Sequence, residues 1–202
     1  MLTLYHAPRS RASRIVALIE ELGARAKVQI VSAQIRRLDG SISTGAPNPH
    51  PEGKVPLLVH DGVEIWESTA IALYLTELFP EAGLGRPVGS PDRGRLLSWL
   101  AWYGDVLEPV VVHAFAGLEH PVLHVTFRGL PEAIARLDAA LAEQPYLMGA
   151  EYSVADLIVA STFLFAPQFV PEDGPIRAWV DRCAARPAQR AMADYEAGLE
   201  AA

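Results

Sequence analysis

Cysteine is nearly absent: Cys183 stands alone in 202 residues. That excludes a disulfide framework, a CxxC redox pair and a cysteine zinc cluster. No run of Lys or Arg occurs, and 17 basic against 24 acidic residues leave a formal charge of −7. Without a clustered basic face, nucleic acid is not expected as a partner. Long apolar runs are missing too. The longest, residues 157–170, is too short for a bilayer and is broken by Pro167 and Gln168, so no membrane partner is expected. Met1 is followed by no basic segment leading into an apolar one, which argues against a secretory signal and for a cytoplasmic protein. What the chain has is 50% hydrophobic and 20% charged residues, enough to bury a core and too apolar for disorder.

Two regimes meet near residue 85. In the first, residues 2–6 read as a strand. Ile15, Leu18, Ile19 and Leu22 keep the i, i+3, i+4, i+7 spacing of an amphipathic helix, with Gly23 as its C-terminal glycine. Residues 27–32 and 55–60 read as further strands. Residues 63–66 return on the latter through Asp61-Gly62, a pair favoured in two-residue hairpins. A second helix is predicted over 69–79, with Ile71, Tyr74, Leu75 and Leu78 on one face and Pro80 as its stop. Residues 37–53 carry no helical pattern. The order β-α-β-β-β-α specifies a small mixed sheet with helices.

Residues 81–92 hold three Gly and two Pro and read as a linker. Beyond them every pattern is helical. Residues 95–115 read as one helix with Pro109 as its point of bending, and 131–143 as another. Ser153-Val154-Ala155-Asp156 opens a third with a capping-box start and Tyr152 and Leu157 as a staple. Residues 176–185 and 188–199 complete the set. The predicted domains are therefore 1–81, a linker at 82–92, and an all-helical 93–202.

Three features of the first domain carry chemistry. Ser10, in Pro8-Arg9-Ser10-Arg11-Ala12-Ser13-Arg14, lies where a strand runs into a helix, and free amides and the macrodipole there favour an anion such as a thiolate. The plain alternative is a capping serine. Lys54-Val55-Pro56-Leu57 puts a proline at the start of a central strand, where a ladder donor is missing. A cis Val55-Pro56 bond would free the Val55 backbone to pair with a peptide-like ligand; an ordinary trans proline is the default. Glu67-Ser68-Thr69 opens the next helix. It is either a cap or a seat for an amino-acid head, with Glu67 on the ammonium and Ser68 with the helix amides on the carboxylate.

Each feature alone is weak, and their order and spacing are not. The stretches from Leu4-Tyr5 through Ser10 to Arg14, His50-Pro51-Glu52-Gly53-Lys54-Val55-Pro56, Glu67-Ser68-Thr69-Ala70-Ile71 and Ser153-Val154-Ala155-Asp156 together resemble the glutathione S-transferase family, most of all its serine-type bacterial and fungal members. The resemblance implies a thioredoxin-like α/β N-terminal domain and an all-α C-terminal domain. It implies glutathione as co-substrate, no metal, a homodimer, and addition of the thiolate to small hydrophobic electrophiles. Ser10 would activate the thiol. Val55 would pair with the cysteinyl unit, Glu67 and Ser68 with the γ-glutamyl end, and Lys54, with His50 beside it, with the glycine carboxylate. Ser153 and Asp156 match a folding motif. No cysteine lies near Ser10, which disfavours the cysteine-type disulfide chemistry, and residues 37–53 lack the helix usual in the family. A glutathione-dependent peroxidase, isomerase or dehalogenase, or a non-catalytic binding protein, would share every motif.

A thiol of pKa near 8.5 is only about 3% thiolate at pH 7, and lowering it by roughly two units takes about 2.7 kcal/mol. A hydroxyl donor to an anion supplies about 1.5–3 kcal/mol and a helix N-terminus roughly 0.3–1. Elsewhere, His120 and His124, with Pro121 between them, read as surface histidines. Leu157, Ile158, Phe163, Leu164 and Phe165 read as core, Cys183 as a structural thiol, and Arg86, Arg93 and Arg95 as solvated.

Overall fold

A computed structural model describes residues 1–200 of the chain. They divide into two compact units, one of Met1–Gly85 with the segment from Ala185 onward, the other of Arg86–Ala184.

The first unit is built on a four-stranded sheet of order β2-β1-β3-β4, with β1 Leu2–His6, β2 Val28–Ser32, β3 Leu57–His60 and β4 Val63–Trp66. β1 runs parallel to β2 and antiparallel to β3, and β3 is antiparallel to β4. A parallel pair needs a crossover, and α1, Ser13–Glu21, supplies it, burying Ile15, Leu18 and Ile19 as their spacing predicts. Asp61 and Gly62 both take positive φ (49° and 85°), the backbone a type I′ hairpin demands. β3 starts at Leu57 rather than Val55, since Pro56 has no N–H to give the ladder. In α2, Ser68–Leu78, the buried face is Ile71, Ala72, Leu75 and Thr76; Tyr74 is half-buried and Leu78 exposed, which corrects the predicted stripe. Residues 37–53 hold turns and two isolated bridges, Ile42 with Arg36 and Ala46 with Ala33, without helix.

The second unit is helical: α3 Arg93–Trp102, α4 Glu108–Ala116, α5 Pro121–Phe127, α6 Leu130–Leu141, α7 Val154–Phe165 and α8 Gly174–Ala184. The single helix expected over 95–115 is two, joined by a π-helical stretch, Tyr103–Leu107. Pro109 explains it: in a regular α-turn its ring would collide with the Asp105 carbonyl, and it has no N–H to offer that group, so the turn before it widens. Short α5 escaped the sequence reading. Its histidines are exposed as expected, with His120 Nδ1 accepting from Val122 N (3.2 Å). Phe165 is 69% exposed, against the core role predicted for it, because it lies in the last turn of α7 past the buried stretch 154–160. Arg86 is not solvated: it bonds Asp92 (2.7 Å) while the Arg93 guanidinium donates to the Arg86 carbonyl (2.6 Å), and together they brace the chain ahead of α3. Ser153 and Asp156 form the expected cap, the Ser153 N–H (2.9 Å) and hydroxyl (2.8 Å) both donating to Asp156 Oδ2.

The last helix, α9 Pro187–Glu200, groups with the first unit, whereas the helical pattern alone assigned 93–202 to one domain. Its ties are specific. Arg186, just before it, pairs with Glu21 of α1 through Nε and Nη2 of its guanidinium, and Arg25 stacks over Tyr195.

Candidate functional site

Sheet register brings the three chemical features together. Tyr5 pairs with Leu57, and Leu57 with Trp66, so one row of the sheet runs from β1 through β3 to β4. Beyond that row the chain continues as His6-Ala7-Pro8 toward Ser10, begins as Val55-Pro56 into β3, and leaves β4 as Glu67-Ser68. Adjacent strands are about 4.8 Å apart, so all three segments crowd one end of the sheet.

The Val55-Pro56 bond is cis. Among the described residues neither the amide nor the carbonyl of Val55 enters a hydrogen bond within the chain, which leaves both available to an extended ligand. Glu67 is exposed, sits at φ 67° and makes no side-chain cap bond. The first intrahelical bond of α2 is Ile71 N to the Glu67 carbonyl (3.0 Å), so the amides of Ser68, Thr69 and Ala70 precede the ladder and form an anion-binding end. Ser68 is 7% exposed. Lys54 is exposed and pairs with Glu52, whose hydrogen bond and charge raise the ammonium's pKa; Glu67 adds to this and Arg11 opposes it. His50 is turned to loop building, with Nδ1 accepting from Glu52 N (3.0 Å). Asn48 Nδ2 donates to the Lys54 carbonyl (3.1 Å) and fixes the segment that leads to Val55.

Ser10 does not cap α1 in the simple sense, since the capping position is Ala12. Its hydroxyl donates to the Ala7 carbonyl (2.6 Å) and accepts from Ala12 N (3.1 Å), a local turn two residues ahead of the helix. Ser13 is the other hydroxyl of the loop, and it donates to Glu196 Oε1 (2.5 Å). Glu196 is the residue the sequence reading missed. From α9 it also accepts from His6 Nε2 (2.7 Å) and Arg9 N (2.9 Å). Burial works to raise its pKa, but the bonds from His6, Ser13 and Arg9 N prevail and hold the carboxyl below its usual range. A signal was present: Ala188, Met192, Tyr195 and Leu199 mark an apolar helix face, and Glu196 falls on it. Among the described residues no group of three or more His, Cys, Asp or Glu is placed to hold a metal ion.

Comparison with known proteins bears on the family and the fold. Residues 1–77 match the family model for the glutathione S-transferase N-terminal domain, and residues 107–187 that for the C-terminal domain. Protein LigF of Sphingobium sp. is 28% identical over 71% of this chain and 74% of its own. A glutathione transferase structure from Methylococcus capsulatus superposes with a TM-score of 0.78 at 26% identity, covering 98% of this chain and 99% of that one. A sphingomonad glutathione S-transferase solved in complex with glutathione gives 0.77 at 26% identity, over 96% and 98%.

Proposed function

The chain belongs to the glutathione S-transferase family, and from that premise we propose that it binds glutathione across the Ser10, Val55 and Glu67 segments and transfers its thiolate to small hydrophobic electrophiles. The observation that carries the reading is the Tyr5–Leu57–Trp66 row, which gathers three motifs distant in sequence at one end of one sheet. Val55 pairs by its backbone with the cysteinyl unit. Glu67 takes the γ-glutamyl ammonium, the Ser68 hydroxyl and the α2 amides take its carboxylate, and Lys54 takes the glycine carboxylate.

Ser10 is the activating hydroxyl. Its proton already rests on the Ala7 carbonyl, so serving a thiolate means exchanging a neutral bond of about 0.5–1.5 kcal/mol for a charged one of about 1.5–3. The net is about 1–1.5 kcal/mol. With roughly 0.3–1 kcal/mol from the helix N-terminus, the bound thiol falls by about one to two pKa units and titrates near neutrality. That is less than the full hydroxyl contribution would give. Arg11, exposed in the same loop and close enough to act on Lys54, adds positive field. The sulfur then attacks an electrophilic carbon, the C–S bond forming as the leaving group departs with its electron pair and the thiol proton passes to solvent.

A hydrophobic electrophile is supported by the helical unit, which exposes Val112, Phe115, Leu118 and Phe165, with Phe115 edge-on to Phe169. The cellular setting in this reading is the cytoplasm. The assembly is a homodimer in this reading, supported by an open groove between β4 and α2 in which Val63, Ile65, Ala70 and Leu73 stand beside His60, Asp61 and Glu77; sedimentation reads it directly. The deciding experiment follows ultraviolet thiolate absorbance as reduced glutathione is titrated into the protein at neutral pH. A saturating signal is expected. No signal from folded protein with glutathione in excess overturns the activated-thiolate reading and leaves a binding module.

A further inference from the structure

The loop from His6 to Ser13 is turned on itself around Ser10, and at Arg9 and Ser13 it is held from outside by α9. Arg9 sits at φ 53°, a left-handed backbone that a non-glycine residue adopts only when something secures it. The Arg9 amide donates to Glu196 Oε2 (2.9 Å), while Glu196 Oε1 takes both the Ser13 hydroxyl (2.5 Å) and His6 Nε2 (2.7 Å). Three donors thus come from the end of β1, the middle of the loop and the first turn of α1, and one side chain of α9 gathers them. Ser10 lies between two of them, its own hydroxyl turned back to Ala7 within the same loop. His6 is fully buried, and with Nδ1 unpartnered the only hydrogen bond of its imidazole among the described residues is to Glu196. From outside, Arg37 Nη2 donates to the Pro8 carbonyl (3.0 Å), so the loop is held at two faces.

The geometry points to Glu196 as a positioning residue: a carboxylate from the last helix that fixes the β1–α1 loop in the shape that presents Ser10 to the glutathione thiol. The inference rests on the glutathione reading above for its chemistry and on the hydrogen bonds alone for its geometry. Glu196 touches no reacting atom; it acts through Arg9 and Ser13.

The test uses the full chain with Glu196→Ala, Glu196→Asp, Glu196→Gln and, as a control, Arg186→Ala. The last cuts a different tie between α9 and α1, the ion pair with Glu21, away from the loop. Amide hydrogen exchange in the free protein reads the loop without any ligand. Exchange at Arg9 is expected to accelerate by about tenfold or more in the Ala and Asp variants, as befits loss of a charge-assisted bond. It should stay near the parent rate in Arg186→Ala, even where that variant unfolds at lower temperature. Glu196→Gln should rescue, because an amide oxygen can face Arg9 N while Ser13 and His6 reverse their roles toward its nitrogen. With glutathione present, the Ala and Asp variants should raise KM for glutathione about tenfold and move the bound thiol pKa upward by about one unit. If Ala fails to fold, Asp, which keeps the charge but shortens the reach, carries the measurement. Unchanged Arg9 exchange in both, or equal acceleration in Arg186→Ala, overturns the proposal. Should the parent protein show no thiolate signal, the glutathione reading falls while exchange still decides what Glu196 holds.

Discussion

Two buried carboxylates anchor this chain, one in each unit, and they behave in opposite ways. Asp156 is fully buried at the start of α7. Its Oδ1 accepts from Leu147 N (2.8 Å) and Trp179 Nε1 (2.9 Å), and its Oδ2 from the Ser153 N–H and hydroxyl. Burial outweighs these bonds, and its pKa is pushed up. Glu196 has fewer donors but is less completely withdrawn from water, 8% exposed against 0% for Asp156, and has an imidazole among its partners, and its pKa is pushed down. Desolvation, not the count of hydrogen bonds, decides the sign. The partners also differ in kind. Each Asp156 oxygen faces a fixed N–H, whereas Glu196 Oε1 meets a hydroxyl and an imidazole that can both reverse.

The largest effect expected breaks the comparison at that point. Asp156→Asn has no good orientation, since either turn of the amide aims its NH2 at a backbone or indole N–H. It should cost about 3–5 kcal/mol, the scale of a buried polar network with one member disabled. Glu196→Gln should cost less than about 1 kcal/mol in stability. Denaturant unfolding of the two variants against the parent checks both figures, and equal losses would show that the fixed donors are not what separates the sites.

Acid sharpens the same contrast. A carboxyl whose folded pKa is lowered contributes stability that is present above its unfolded value, 4.5 for Glu196, and lost as pH falls through the folded one. Asp156, raised from 3.8, works the other way: its contribution is full below the unfolded value and is lost as pH rises through the folded one. Stability of the parent relative to Glu196→Gln should therefore shrink as pH drops below about 4.5. A difference that stays flat or grows into acid would mean that Glu196 is not held charged by its partners.

Ser10 gives a smaller and more local effect. Ser10→Ala loses a neutral bond to Ala7 and the turn at Ala12, so thermal stability should move little, while the bound glutathione thiol pKa rises by about one unit and turnover falls about tenfold. Ser13→Ala should do the reverse, disturbing stability through Glu196 more than the thiol. Swapped outcomes would assign the activating role to Ser13.

Much of this was legible before the structure because local chemistry enforced it. The β1 and α1 patterns, the Asp61-Gly62 turn and the Ser153–Asp156 cap each depend on residues a few positions apart. The Ser10, Val55 and Glu67 segments were readable as segments, yet only the Tyr5–Leu57–Trp66 register brings them to one end of the sheet. What escaped was long-range. Glu196 meets Arg9 across 187 positions, and no periodicity carries that pairing. Phe165 failed as core because a helix's apolar stripe does not tell where its neighbours stop, and the π stretch at 103–107 followed from Pro109 in a way the spacing alone did not specify.

The smallest expected effect concerns Lys54. Its ammonium is exposed and shared with Glu52, which raises its pKa and holds one of its three donors. An exposed pair contributes little to the fold, so Glu52→Ala should leave unfolding unchanged. It should also free the ammonium for the glycine carboxylate of glutathione, tightening binding by about twofold at low salt, with the gain fading as salt is added. Lys54→Ala should weaken binding by a similar factor. Calorimetric titration of glutathione into both variants separates two roles for the pair. Tighter binding in Glu52→Ala makes Glu52 a competitor for Lys54. Weaker binding makes it the guide that aims Lys54 at the ligand, and the Lys54 contact would then rank with Glu196 as a positioned group rather than a free surface charge.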